Sequence, residues 1–379
     1  MNDRRDFLKG GAIIAGGGLL GVSGKAGAAQ SAKSYAGDVS YAATAEPNPW
    51  SVPQRPVRPV SIDIHTHWAP AAYLKAKADL GRPDFLDPMN HDLARRIKWM
   101  DRKGVQTQIL TLGGFRPWGW VTPEQGAHIS AVTNDAAIEA HLAHPTRFAA
   151  GIELNCSDPA GALVELNRVA GKAGMVCVNL PTSLSGKDYL FEADFAPVLA
   201  RIHDLGLPIF FHPLDGEANW FAGRRLADAS SGVEPNATGP RAHFPGLTNS
   251  LGNSLETAVA MSKLIVSGTL DRYPDLIPIM GCAGGALPYV GGRLENRSRR
   301  PVHEYLRRFY YDSLTYWVPS LRYLAEMVGS DRIVLGTDNM FGPDPQMMEE
   351  PHSLIDQANF AEADRDLILR GNLQRLLKL

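Results

Sequence analysis

Val60-Ser61-Ile62-Asp63-Ile64-His65-Thr66-His67 joins a short β-rich run to a pair of histidines. The β-branched residues of Val60–Ile64 suit a pleated, buried strand. Working outward along the chain, seven more such runs follow: Gln106–Leu112, Phe148–Leu154, Met175–Leu180, Pro208–His212, Ile277–Cys282, Arg308–Ser313 and Ile333–Asp338. Amphipathic helical patterns separate them at Asp92–Lys103, Pro123–His144, Asp158–Lys172, Phe195–Leu205, Ser254–Leu270 and Pro319–Val328. Regular strand–helix alternation points to parallel pairing, because parallel neighbours need a crossover connection. Eight units between residues 60 and 379 predict a single α/β domain, a distorted (β/α)8 TIM barrel. An open doubly wound sheet is the rival, but no glycine-rich fingerprint follows the first run.

Composition narrows the function classes. The 379 residues carry 38 Lys and Arg against 40 Asp and Glu, a net charge of −2, so no basic footprint for nucleic acid exists. Three cysteines cannot build a disulfide framework. No apolar run reaches the roughly 18 residues that span a bilayer, so stable membrane insertion is not expected.

Residues 1–28 read as an address. Arg4-Arg5-Asp6-Phe7-Leu8-Lys9 precedes the uncharged, glycine-rich Gly10–Gly24, and Ala26-Gly27-Ala28 offers a small-residue cleavage site. The paired arginines resemble a twin-arginine export signal, which implies a periplasmic or otherwise exported protein. Residues 29–59, with Pro47, Pro49, Pro53, Pro56 and Pro59, read as an extended linker. Residues 214–251 form a loop insertion after the fifth run, carrying Trp220, Phe221 and Phe244, where a barrel keeps its binding loops.

Chemistry concentrates where the runs end. His65 and His67 are two residues apart and so share one face of a strand. His212 ends the fifth run in Phe210-Phe211-His212-Pro213, and Asp338 ends the eighth in Leu335-Gly336-Thr337-Asp338. In a closed barrel the eighth strand neighbours the first, so three imidazoles and a carboxylate converge. That donor set suits one divalent ion, zinc first, with manganese or iron also compatible. Asp312, at the end of the seventh run, stands at the same barrel end and can shape the site. Trp118 and Trp120, after the second run, are candidates to wall a pocket for an aromatic acid.

Together, His65-Thr66-His67, His212-Pro213, Glu256-Thr257-Ala258 through Ser267-Gly268, Gly284-Gly285-Ala286-Leu287-Pro288-Tyr289, Arg293, Gly336-Thr337-Asp338 and the closing Gly371-Asn372-Leu373 resemble the amidohydrolase-2 family. The likeness is nearest to the aminocarboxymuconate-semialdehyde decarboxylases and their relatives. It implies a metal-bearing barrel, commonly a homodimer, acting on a small carboxylated substrate. By position it implies that His65, His67, His212 and Asp338 hold the metal, and that Arg293 grips the substrate carboxylate across the dimer interface. The family carries a histidine just before the glycines; here Cys282 occupies that place. Cys282 is therefore an acid–base substitute, an extra soft ligand or a small buried filler, and loss of activity is the remaining reading. The expected reaction is metal-dependent, non-oxidative decarboxylation of a small unsaturated or aromatic acid, with Asp338 relaying the proton. The alternative is hydrolysis of a lactone, amide or C–C bond by water activated at the metal. Cys156 and Cys177 fall in apolar strand contexts and read as core.

Overall fold

The computed structural model describes residues 61–83, 90–184, 188–213, 251–339 and 350–379. The expected signal segment at 1–28, the linker at 29–59 and all but the last residue of the 214–251 insertion lie outside them. Eight parallel strands form one sheet in sequential order: β1 Ser61–Asp63, β2 Val105–Leu110, β3 Phe148–Glu153, β4 Met175–Pro181, β5 Ile209–His212, β6 Pro278–Met280, β7 Tyr310–Asp312 and β8 Ile333–Val334. The sheet curls until its two ends meet. Ile64 N donates to Leu335 O at 3.1 Å, Asp338 N to His65 O at 2.9 Å, and Thr66 bridges Asn339 in parallel. The barrel is nearly closed, as the alternation predicts.

The helices begin and end where local chemistry dictates. Helices α1 Ala71–Asp79 and α2 Leu93–Lys103 fill the first crossover. Asp92 caps α2 by accepting from Arg95 N, and Gly104 ends it with φ 74°. Thr122 and Gln125 form a reciprocal capping box for α3 Pro123–Ala143. Asp158 caps α4 Pro159–Val169 by accepting from Gly161 N. Helix α5 Ala196–Leu205 stops at left-handed Gly206, and α6 Asn253–Val266 precedes β6. The sequence pattern missed α1, whose buried face is limited to Tyr73, Ala76 and Lys77.

One core cluster takes a residue from every strand: Ile62, Ile109, Ala149, Cys177, Phe210, Ile279, Tyr310 and Val334. These fill the barrel, and each large side chain buried this way contributes about 1.5–3 kcal/mol. Leu373, Leu376 and Leu377 of the last helix join the same cluster. Asn372 Nδ2 donates to Ser330 O and Ile333 O, which pins that helix at the start of β8 and plugs the barrel floor. A second, larger cluster lies between strands and helices and includes the buried Cys156.

Three strands stop short of the chemistry-bearing residues that follow them. β6 ends at Met280 and β8 at Val334, so Cys282 and Asp338 lie beyond the ladder. Both take left-handed backbone, φ 53° and 54°, which no ladder accommodates. β1 likewise stops at Asp63, leaving His65 and His67 on the extended segment that follows.

Candidate metal centre

The segment after β1 is held at every residue. Asp63 Oδ1 accepts from His65 N at 3.2 Å, Thr66 Oγ1 donates to Ile109 O at 2.7 Å, and Arg96 Nη2 donates to His67 O at 2.6 Å. Asp63 itself is fully buried, and burial raises its carboxyl to about 6 against the pull of Thr337, Gln108 and His65. His65 Nδ1 lies 2.6 Å from Asp312 Oδ2 and donates to it, which turns Nε2 toward the barrel axis. His212 Nδ1 lies 2.5 Å from Pro213 O; a carbonyl only accepts, so the proton sits on Nδ1 and Nε2 presents a lone pair. His212 Nε2 is 3.3 Å from His67 Nε2. Asp338 Oδ1 stands 2.8 Å from His67 Nε2 and 3.4 Å from His65 Nε2, while its Oδ2 accepts from Tyr316 Oη at 3.0 Å.

Space at the centre is tight. A Cβ at Gly336 would come within 2.9 Å of both His65 Cβ and Asp312 Cβ. At Gly113, φ 57°, a Cβ would fall 2.3 Å from His67 Nδ1. The three imidazole centroids are 4.7, 4.9 and 5.7 Å apart, and Phe210 stands edge-on to His65 at 5.2 Å, joining the centre to the core.

This geometry fits a cation. The ligand atoms of His65, His67, His212 and Asp338 all lie within 4.8 Å of one another. Among the described residues His65 Nε2 is buried with no hydrogen-bond partner, and such an atom is costly unless something positive faces it. Charge interactions agree. Burial opposes ionisation of Asp338, yet His65 and His67 hold it well below the usual carboxylate range. Burial also disfavours charge on His65, but Asp338 and Asp312 overcome this and raise it to about 10. His212 moves the opposite way: burial, then the neighbouring imidazoles and Arg116, keep it neutral and ready to ligate.

The remaining expected site residues are placed differently. Cys282 is not one of the four convergent ligands. Its backbone N–H donates to Asp312 Oδ2 at 3.1 Å, and Ala283 N donates to Oδ1 at 2.6 Å, so the turn after β6 positions the carboxylate that orients His65. Arg293 is exposed on the short turn Gly291–Leu294 and takes no part in the centre of its own chain. Trp118 is buried, and Trp120 stacks beneath the Arg82 guanidinium at 4.7 Å. Two residues near the centre carried no sequence signal. Tyr316 arrives from an irregular turn with φ 52°, and Arg116 follows Gly113-Gly114-Phe115 after β2.

A family model described as amidohydrolase matches residues 62–379. The chain belongs to the amidohydrolase family. This amidohydrolase is 24% identical to 2-amino-3-carboxymuconate-6-semialdehyde decarboxylase of Dictyostelium discoideum over 358 residues, covering 85% of this chain and 92% of that protein. It is 27% identical to gamma-resorcylate decarboxylase of Rhizobium sp. (strain MTP-10005) over 340 residues, covering 84% and 98%. The solved dihydroxybenzoic acid decarboxylase of Polaromonas sp. JS666, with bound manganese and the inhibitor 2-nitroresorcinol, superposes with a TM-score of 0.63 at 24% identity, covering 84% and 97%. This amidohydrolase shares their fold and is an enzyme. Among its described residues no helix is long and apolar enough to cross a membrane.

Proposed function

We propose that this amidohydrolase is a metal-dependent, non-oxidative decarboxylase of a small hydroxylated aromatic or unsaturated carboxylic acid. The observation that carries the reading is the four-ligand centre with an unpartnered imidazole nitrogen, on a chain whose two relatives above are both decarboxylases. His65, His67, His212 and Asp338 would hold one divalent ion. Three nitrogens and a carboxylate suit zinc, and the manganese of the Polaromonas structure makes that ion the other choice. When bound, the ion supplies Lewis-acid polarisation of a substrate oxygen beside the scissile bond. Asp338 is placed to move the proton, because Oδ1 faces the imidazoles and Oδ2 holds the Tyr316 hydroxyl. In the reaction the C–C bond to the carboxylate breaks, its electron pair takes up the proton, and CO2 departs. Asp312 keeps His65 in the ligating tautomer, and Cys282 serves through its backbone N–H on Asp312 while its thiol stays outside the ligand set. The enzyme would act as a homodimer in which the exposed Arg293 serves the neighbouring subunit's substrate, and it would be exported through its twin-arginine signal.

The test is an assay of the protein loaded with zinc or with manganese, on phenolic acids and on lactones, measuring CO2 and ring products separately. Equimolar CO2 and decarboxylated phenol are expected. Lactone opening without CO2 from any acid would replace this reading with the hydrolytic one.

A further inference from the structure

Two arginines are buried near the barrel mouth, and they differ in how their donors are used. Arg96 Nη1 donates to Gln108 Oε1 and to Asn339 Oδ1, both at 3.1 Å, and its Nη2 to His67 O. Arg116 gives only its Nε, at 3.1 Å, to Glu153 Oε2. Among the described residues its Nη1 and Nη2 are buried and have no hydrogen-bond partner, although the side chain is fully shielded from solvent. A guanidinium carries five N–H donors in a planar fork, so the unused edge is the one that matches a carboxylate with two parallel bonds.

Glu153 accepts three hydrogen bonds, and none of them comes from that edge. Its Oε1 accepts from Leu112 N at 2.7 Å and from Asn179 Nδ2, and its Oε2 takes Arg116 Nε. The carboxylate is thus a bracket at the end of β3, fixing the guanidinium by one side. The residues just before Arg116 lie against the metal ligands: Gly113 is in contact with the His67 ring, and Phe115 stands edge-on to it at 5.7 Å. The register of β4 on β5 sets Pro181 beside His212, so Glu153, Asn179 and His212 follow one another around the same rim.

We infer that Arg116 grips the carboxylate of the substrate from within the same chain, through its Nη1–Nη2 edge beside the metal centre. The inference rests on the decarboxylase reading and narrows its substrate to an acid whose carboxylate is bound by a buried, pre-aimed guanidinium. Such a clamp does not depend on Arg293 of a neighbouring subunit.

The test measures binding, with CO2 release followed alongside, using two acids and their decarboxylated partners: 2,6-dihydroxybenzoate with resorcinol, and salicylate with phenol. Calorimetry on the manganese-loaded protein compares wild type, Arg116→Lys, which keeps the charge but loses the fork, and Arg116→Met with Glu153→Gln, which leaves no unpaired buried charge. Metal content and melting temperature are measured on each. An acid that binds wild type should bind both variants about tenfold more weakly or worse, while its phenol changes by about twofold at most. Equal weakening of acid and phenol would make Arg116 merely structural. Unchanged acid binding, or wild-type protein that binds neither acid better than its phenol, would also overturn the inference. Acid binding that follows Arg116 without CO2 release would leave the clamp standing and remove the decarboxylase reading instead.

Discussion

The barrel mouth has two polar halves that are opposite in kind. On the side built by the ends of β1, β5 and β8, three imidazoles and Asp338 crowd together with more acceptors than donors, and His65 Nε2 is left without a partner. On the side built by β2, β3 and β4, Glu153 is surrounded by donors, and two guanidinium nitrogens of Arg116 are left without an acceptor. A surplus of lone pairs calls for a cation, and a surplus of N–H groups calls for an anion. Burial makes each surplus costly, and among the described residues neither half is satisfied. A metal ion and a carboxylate, side by side, would satisfy both.

This contrast can be broken from either half. The largest effect is expected on the donor side. Glu153→Gln leaves Arg116 charged in a fully buried pair that has lost its partner, and should lower stability by about 3–5 kcal/mol without lowering metal content, read by thermal melting and elemental analysis. A matching loss of metal would show that the halves are not separate. On the acceptor side, Asp312→Asn keeps the shape but weakens the hydrogen bond that orients His65. Metal affinity should fall by about 10–100-fold with little change in melting of the metal-free protein, measured by competition with a chelator.

A histidine outside both halves gives the smallest effect and a control. His352 packs on Ser61 Oγ at 2.8 Å, and burial lowers it from 6.5 to about 4. It stays neutral when folded, whereas the unfolded chain takes up its proton below pH 6.5. Its contribution is therefore present above pH 6.5 and is lost as pH falls toward 4, by about 1–2 kcal/mol for a partly shielded ring. His352→Gln should flatten that part of the stability curve, and an unaltered slope would assign the acid sensitivity to the mouth instead.

Much of this was legible in the sequence because it follows from period and spacing. Strand–helix alternation gives the barrel, and His65, His67, His212 and Asp338 stand out because each ends a run at the same rim. Asp312 was visible for the same reason. What escaped notice depends on irregular backbone or on pairing across the fold. Cys282, Tyr316 and Asp338 adopt left-handed conformations that no propensity announces at non-glycine residues. Cys282 carried the position of a family histidine, and its main chain meets the carboxylate of Asp312. Arg116 sits in a turn where an arginine ordinarily faces water. Only the fold shows that Glu153, far along the chain, takes one edge of it and leaves the other bare.

The acceptor half stands or falls on four side chains sharing one ion. Equilibrium dialysis of the purified protein against manganese or zinc, followed by elemental analysis, measures this directly. One ion per chain in wild type and none in His212→Ala is the predicted result. Wild-type protein that takes up no stoichiometric metal, or a His212→Ala variant that retains its full complement, would contradict it.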